Sequence, residues 1–314
     1  MKPNSACFLG GDSGGSKTEW RLLSEDGVLL HRFSQEGMAA AQAGILPCDR
    51  LALEASEALG ATPSLIYLSL GGPNVDEVRG AISSAFPQSE VVVERESNGA
   101  LVYAFSGLFG IQGTVMAGTG VTSVGFDPAG WKYVEGWGPA YGDRASGGGL
   151  GTAALKLFLQ GVDGLADSGG LLSLFEEQTH GLDLSSYKDR MELKRRITLL
   201  SRRDLAAMAP KIMALAASGD SAAGQLIEET AEQLGAIAAA IAPSKGRILW
   251  LGGLFRLGAS FVEQCNAALS RRRPDCTGVY DERISLGKLA AARSLQLGGR
   301  QLSETRMKEI IYGD

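Results

Sequence analysis

The stretch FLGGDSGGSKTEWRLLSEDG, Phe8–Gly27, decides how the rest of the chain is read. Its glycines invite a phosphate, but a P-loop needs GxxxxGK[ST] with a helix opening at the lysine. Here Ser16 stands where the last glycine belongs, and TEWRLL alternates polar with apolar residues until it meets SEDG. Alternation followed by a turn is hairpin behaviour, so the glycines are expected in a β-turn. Successive N–H groups of such a turn can form an anion-binding nest. Asp12, closing the first strand, would repel a bare phosphate but can hold Mg²⁺, directly or through water. The stretch also admits a plainer reading, in which Gly10–Gly15 make a tight turn and Asp12 caps it.

The chain of 314 residues is 45% hydrophobic, enough for two domains with sizeable cores. A net charge of −5 leaves no basic field for nucleic acid or anionic lipid. The one dense basic cluster, Arg271–Arg273, precedes a proline and reads as a solvated helix end. MKPNSACFLGGD reaches acid and glycine before an apolar leader is complete, and no apolar run approaches the ~20 residues a membrane helix needs. The four cysteines lack CxxC spacing and only two histidines are present, so metal clusters and histidine-based catalysis have little to draw on. A reduced, cytoplasmic protein is expected.

Strands are expected at Cys7–Gly10, Glu19–Leu23, Val28–Phe33, Leu65–Leu70 and Val91–Glu94, with helices at Asp49–Leu59 and Asn74–Phe86. Asn74 with Glu77 predicts a capped helix start. GTVMAGTGVTSVGFDPAGWKYVEGW then repeats the first set in outline: apolar strand, glycine/hydroxyl turn, alternating strand, acidic-glycine turn. The order of element types is shared, which predicts two related domains. From about Leu150 to Ala242 the chain is helical and alanine-rich, stopped by Pro243. RILWLGGLF is a buried strand followed by a helix, Ala259–Ser270, and Leu286–Ile311 is helical and packs back on the first domain.

Four stretches in order, GGDSGGSKTEW, AGTGVTSVG, EGWGPAYGDRASG and WLGGLF, resemble the actin/hexokinase/heat-shock ATPase superfamily. Within it the chain is similar to N-acetylglucosamine kinases and their relatives in the BadF/BadG/BcrA/BcrD ATPase family. The resemblance implies an α/β fold of two ribonuclease-H-like domains, 1–113 with 287–314 and 114–286, and a nucleotide cleft between them. It implies ATP and Mg²⁺ as cofactors, a small-molecule sugar substrate, and a homodimer.

Carried over by position, Gly14, Gly15, Ser16 and Lys17 meet the β/γ-phosphates, with Asp12 near the metal; Lys17 equally reads as a solvated hairpin charge. Gly118, Thr119 and Gly120 form the second phosphate turn, and Gly252 and Gly253 flank the adenosine. Gly136, Trp137, Gly138 and Asp143 contact the sugar, Trp137 walling a pocket rather than joining a core. Where the relatives have a catalytic aspartate, this chain reads VVVERESNGALVY. Counting back from Gly99 gives Glu96 as the base, while another register leaves no base, with Glu94 or Asn98 approaching. Glu96 also reads as an ordinary acid favoured by a helix dipole. Arg144, Ala145 and the alanines Ala39–Ala41 depart from the relatives around the sugar.

The function implied is transfer of the γ-phosphoryl group of ATP to a hydroxyl of an amino sugar such as N-acetylglucosamine or glucosamine. Two alternatives share the fold: a cluster-bearing ATPase activator, disfavoured because no cysteine lies between Asp49 and Gln264, and a non-catalytic nucleotide or sugar sensor.

Overall fold

A computed structural model describes residues 6–38, 46–71, 74–96 and 99–313. In chain order the strands are β1 (Cys7–Ser13), β2 (Lys17–Ser24), β3 (Leu29–Glu36), β4 (Leu65–Leu70), β5 (Glu90–Arg95), β6 (Gly113–Ala117), β7 (Val121–Asp127), β8 (Gly130–Glu135), β9 (Arg247–Leu251) and β10 (Thr277–Val279). The helices are α1 (Pro47–Ala58), α2 (Val75–Ala85), α3 (Ala100–Tyr103), α4 (Ser106–Phe109), α5 (Gly147–Val162), α6 (Glu176–Thr179), α7 (Tyr187–Thr198), α8 (Arg202–Ala206), α9 (Ala209–Ala217), α10 (Ser221–Ile241), α11 (Ala259–Arg272), α12 (Leu286–Leu297) and α13 (Glu304–Tyr312).

The chain divides into two compact units, Met1–Gly113 with Asp281–Asp314 and Thr114–Tyr280. Each holds one five-stranded sheet, ordered β3-β2-β1-β4-β5 and β8-β7-β6-β9-β10. These are the same topology met twice. In the first, β1–β2 and β2–β3 are antiparallel, and β1–β4 and β4–β5 parallel. In the second, β7–β8 is antiparallel and β9–β10 parallel. Only three residues join β6 to β7, too few for a crossover, so that pair also turns back on itself. Both units are therefore ribonuclease-H-like α/β domains.

Local chemistry explains the elements. β4, LIYLSL, is buried along its whole length, as a central parallel strand covered on both faces must be. The edge strand β3 alternates or exposes its residues, and β8 is exposed over most of its length. Two glycines of the opening stretch serve packing. A Cβ at Gly10 would lie 2.2 Å from the backbone N of Ala291, so α12 can seat directly on β1. A Cβ at Gly11, on the opposite face, would lie 2.4 Å from the fully buried Trp20 ring. The second unit repeats the device, since a Cβ at Gly125 in β7 would lie 2.1 Å from the carbonyl oxygen of Ile241 in α10. The first core gathers Leu9, Trp20, Leu51, Ile66 and Leu68; the second gathers Phe158, Phe175, Trp250 and Phe255.

The differences from sequence expectation sit at element ends. Asn74 occupies the residue before α2, but its side chain caps nothing. The C-terminal segment is two helices, broken between Leu297 and Glu304, and the first of them packs on the β1 sheet. Ala39–Ala41 and Asn98 lie outside the described residues. No described helix is long and apolar enough to cross a membrane.

Gly10→Ala is expected to force α12 off β1 and lower unfolding stability by about 1–3 kcal/mol. Gly80→Ala, in α2 with nothing within 4 Å of the new methyl, is expected to raise it by up to about 1 kcal/mol. Chemical denaturation of the two variants distinguishes them; an equal effect would contradict the packing described.

Candidate active site

Parallel pairing places the ends of β1, β4 and β5 on one edge. Ser13, Leu70 and Arg95 lie in register, and the chain leaves that row through Gly14, Gly71 and Glu96. One row earlier Asp12, Ser69 and Glu94 are aligned, with Glu19 opposite Asp12 on β2. Residues paired across a sheet share a face, as do residues two apart on one strand. Asp12, Glu19 and Glu94 therefore point to one side of the sheet, and Glu96, just past β5, lies near enough for its charge to act on Asp12.

The first turn is closed by the Gly14 amide donating to the Lys17 carbonyl at 2.9 Å. Beneath it the Ser13 and Thr18 hydroxyls are 2.8 Å apart. Gly37 braces it from behind, because a Cβ there would lie 2.3 Å from the Gly14 carbonyl oxygen, and the Met38 amide donates to that oxygen at 3.2 Å. Arg50, a buried arginine that sequence reading missed, holds the brace by donating to the Gly37 carbonyl at 3.0 Å. A basic residue inside an amphipathic helix carries no signal that it is buried.

Glu96 follows β5, and its carboxylate lies across Gly71: a Cβ at Gly71 would be 2.6 Å from Oε2. The Gly71 amide donates to the Ser13 carbonyl at 2.6 Å, which ties this spot to the first turn. Burial pushes the Glu96 carboxyl up to about 7. Asp12 is pushed well above the usual carboxylate range by burial first, then by the negative charges of Glu96 and Glu19. Glu19 differs: burial opposes its ionisation, but the hydrogen bond and charge of Arg21, with Lys17 behind, bring it below its ordinary value. Lys17 itself is exposed, 3.4 Å from Glu19. Glu94 is occupied, accepting from the buried Tyr67 hydroxyl at 2.8 Å.

Asp12 Oδ1 is buried with no hydrogen-bond partner among the described residues. An orphaned carboxylate oxygen among like charges fits a divalent cation. Among the described residues no three acidic, histidine or cysteine side chains are gathered to hold a metal by themselves. That suits Mg²⁺, which keeps water and phosphate ligands beside one or two carboxylates.

In the second unit the turn Gly118–Gly120 has all three carbonyls drawn inward. Gly118 accepts from the Gly147 amide at 2.7 Å, Thr119 from the Gly148 amide at 3.2 Å, and Gly120 from the Gly118 amide at 2.9 Å. Turning the carbonyl oxygens away from solvent removes their negative ends from the face an anion would approach. Ser146 caps α5, accepting from the Gly149 amide at 3.0 Å, and donates to Thr119 and Asp143 carbonyls.

Asp143 is 6% exposed and sits at φ 60. The expected sugar contact meets a different geometry there. Its Oδ1 accepts from the Val121 amide at 2.8 Å, and its Oδ2 accepts from Arg202 at 2.9 Å. Gly136 and Gly138, both at positive φ, flank Trp137, which is 77% exposed, and Tyr141 nearby is 86% exposed. Gly252 approaches the end of β6, where a Cβ would lie 2.3 Å from the Ala117 carbonyl oxygen; beside Gly253 there is open space. Gly118, Thr119, Gly120, Asp143 and Gly252 thus gather around one corner of the second unit. Arg202, in the helical insertion, is a further member that no motif announced.

The model of the BadF/BadG/BcrA/BcrD ATPase family matches residues 9–277. Comparison with curated proteins gave no match. Among solved structures, a provisionally assigned N-acetylglucosamine kinase from Chromobacterium violaceum is 22% identical, with TM-score 0.70, 94% of this chain and 100% of that one covered. A ROK family glucokinase from Streptomyces griseus, solved with glucose and AMPPNP, is 17% identical at TM-score 0.60, covering 93% and 99%. A ROK family transcriptional regulator, homologous to the E. coli Mlc protein, is 14% identical at TM-score 0.57, covering 98% of this chain and 82% of that one. At these identities the likeness is one of fold.

The raised carboxyl of Glu96 has a consequence for stability. With its folded value near 7 and an ordinary value of 4.5, its contribution is intact below pH 4.5 and is lost as pH rises through 7. Glu96→Gln removes that loss. The variant is expected to match the parent near pH 4.5 and to exceed it by about 1–3 kcal/mol at pH 8, read by denaturation without nucleotide. Equal stability of the two at pH 8 would contradict the burial of the Glu96 carboxyl.

Proposed function

The chain belongs to the BadF/BadG/BcrA/BcrD ATPase family, and from that premise we propose that it is an ATP- and Mg²⁺-dependent sugar kinase acting on an amino sugar or related hexose. The observation that carries the reading is Glu96 lying across Gly71, next to the first turn and coupled by charge to Asp12. A carboxylate with its pKa near the working pH suits a general base.

In this reading Glu96 takes the proton of the acceptor hydroxyl as its oxygen bonds to the γ-phosphorus and the bond to the β-phosphate bridging oxygen breaks, releasing ADP. The turns Gly14–Ser16 and Gly118–Gly120 are the phosphate-binding elements of this reading, with the Gly14 and Gly118 amides engaged in closing the turns themselves. Lys17 adds a mobile positive charge. Asp12 holds Mg²⁺, which when bound neutralises phosphate charge. Gly252 and Gly253 admit the flat adenosine close to the backbone. Gly136, Trp137 and Gly138 receive the sugar, the indole face stacking on its C–H groups, while Asp143 acts through the turn it anchors. All four cysteines are buried, which leaves none displayed for a shared cluster. ATP and Mg²⁺ are supplied in the cytoplasm, where we place the protein.

ADP release measured across a panel of hexosamines, N-acylated hexosamines and muramic-type sugars is expected to show sugar-stimulated turnover. Glu96→Gln is expected to lower kcat about 10²- to 10⁴-fold with MgATP affinity unchanged. Undiminished turnover in that variant would remove Glu96 from the chemistry. MgATP and sugar binding with no turnover on any sugar would favour the sensor reading, for which the regulator of the same fold is the precedent.

A further inference from the structure

We propose that Arg202 is a positioning residue for phosphate binding by the turn Gly118–Gly120, an inference that rests on the nucleotide-binding reading above. Arg202 opens α8, whose start is fixed by a reciprocal capping box between Ser201 and Asp204. Its side chain crosses the first turn of α5, so closely that a Cβ at Gly148 would lie 3.0 Å from its Cγ and Nε. From there Nη2 donates to Asp143 Oδ2 at 2.9 Å and to Ser146 Oγ at 3.3 Å.

Both partners lead to the turn. Asp143 accepts from the amide of Val121, the residue directly after the turn, and Ser146 donates to the carbonyl of Thr119 within it at 3.0 Å. Arg202 thus bears on both limbs of the turn through Asp143 and Ser146. It is also the only cation in an ion pair with Asp143 among the described residues. Asp143 is buried and holds a left-handed backbone conformation that a non-glycine residue keeps only where its surroundings hold it. Without the guanidinium, a buried carboxylate loses its countercharge and the strained residue loses the contact that keeps it there. The carboxylate then turns to water, the Val121 amide is freed, and the strand that follows the turn loses its anchor. The loss falls on phosphate and spares the adenosine side.

Calorimetric binding of MgATP and of adenosine to the full chain separates this role from a merely structural one. Arg202→Ala is expected to weaken MgATP binding about tenfold or more, with adenosine affinity within twofold of the parent. Arg202→Lys keeps the charge but not the two-pronged reach, and is expected to show a smaller loss of MgATP affinity at an unchanged melting temperature. That variant carries the test should the alanine protein fail to fold. Retention of the parent's preference for MgATP over adenosine by both variants would overturn the inference by itself, as would equal losses of both ligands. A parent protein with no such preference would instead overturn the reading on which the inference rests.

Discussion

Three carboxylates beside the first turn are the constraint around which the first domain is organised. Strand register sets Asp12 opposite Glu19, and register is not negotiable once β1 and β4 are buried, while Glu96 follows the end of β5. Among the described residues only Glu19 of the three is ion-paired, with Arg21 and Lys17. Burial, then the charges of Glu96 and Glu19, raise the cost of ionising Asp12, burial does the same for Glu96, and Asp12 keeps one oxygen without a partner among the described residues. Such a concentration of like charge marks a candidate site for a cation.

The rest of the architecture holds that edge still. Gly10 lets α12 lie directly on β1, Gly11 makes room for Trp20 on the other face, and Gly37 with Arg50 presses on the back of the first turn. The second domain stabilises its turn differently. There α5 amides consume the carbonyls, and the Asp143–Arg202 pair fixes the strand that follows. Both solutions fix the turn, by packing in one domain and by hydrogen bonding in the other.

Much of this was legible in the sequence because it depends on local pattern. The misplaced glycine at Ser16 and the alternation of TEWRLL separate a hairpin turn from a helix-opening loop, and AGTGVTSVG repeats the pattern. What the sequence concealed depends on partners far along the chain. Nothing near Asp143 announces Arg202, 59 residues away, so the carboxylate looked free to meet a ligand. Nothing near Gly10 or Gly11 distinguishes a glycine required by a helix or an indole from one required by phosphate. Asn74 failed as a cap because its position in sequence does not fix its rotamer, and the break before α13 follows Gly298 and Gly299 in a segment otherwise periodic.

The most direct test of the charge constraint is calorimetric titration of ATP into the parent and into Asp12→Asn, each with Mg²⁺ and with EDTA. The account expects the parent to bind ATP at least tenfold more tightly with Mg²⁺ than without, and Asp12→Asn to lose most of that difference. ATP binding equally well in EDTA, with Asp12→Asn indistinguishable from the parent, would contradict it.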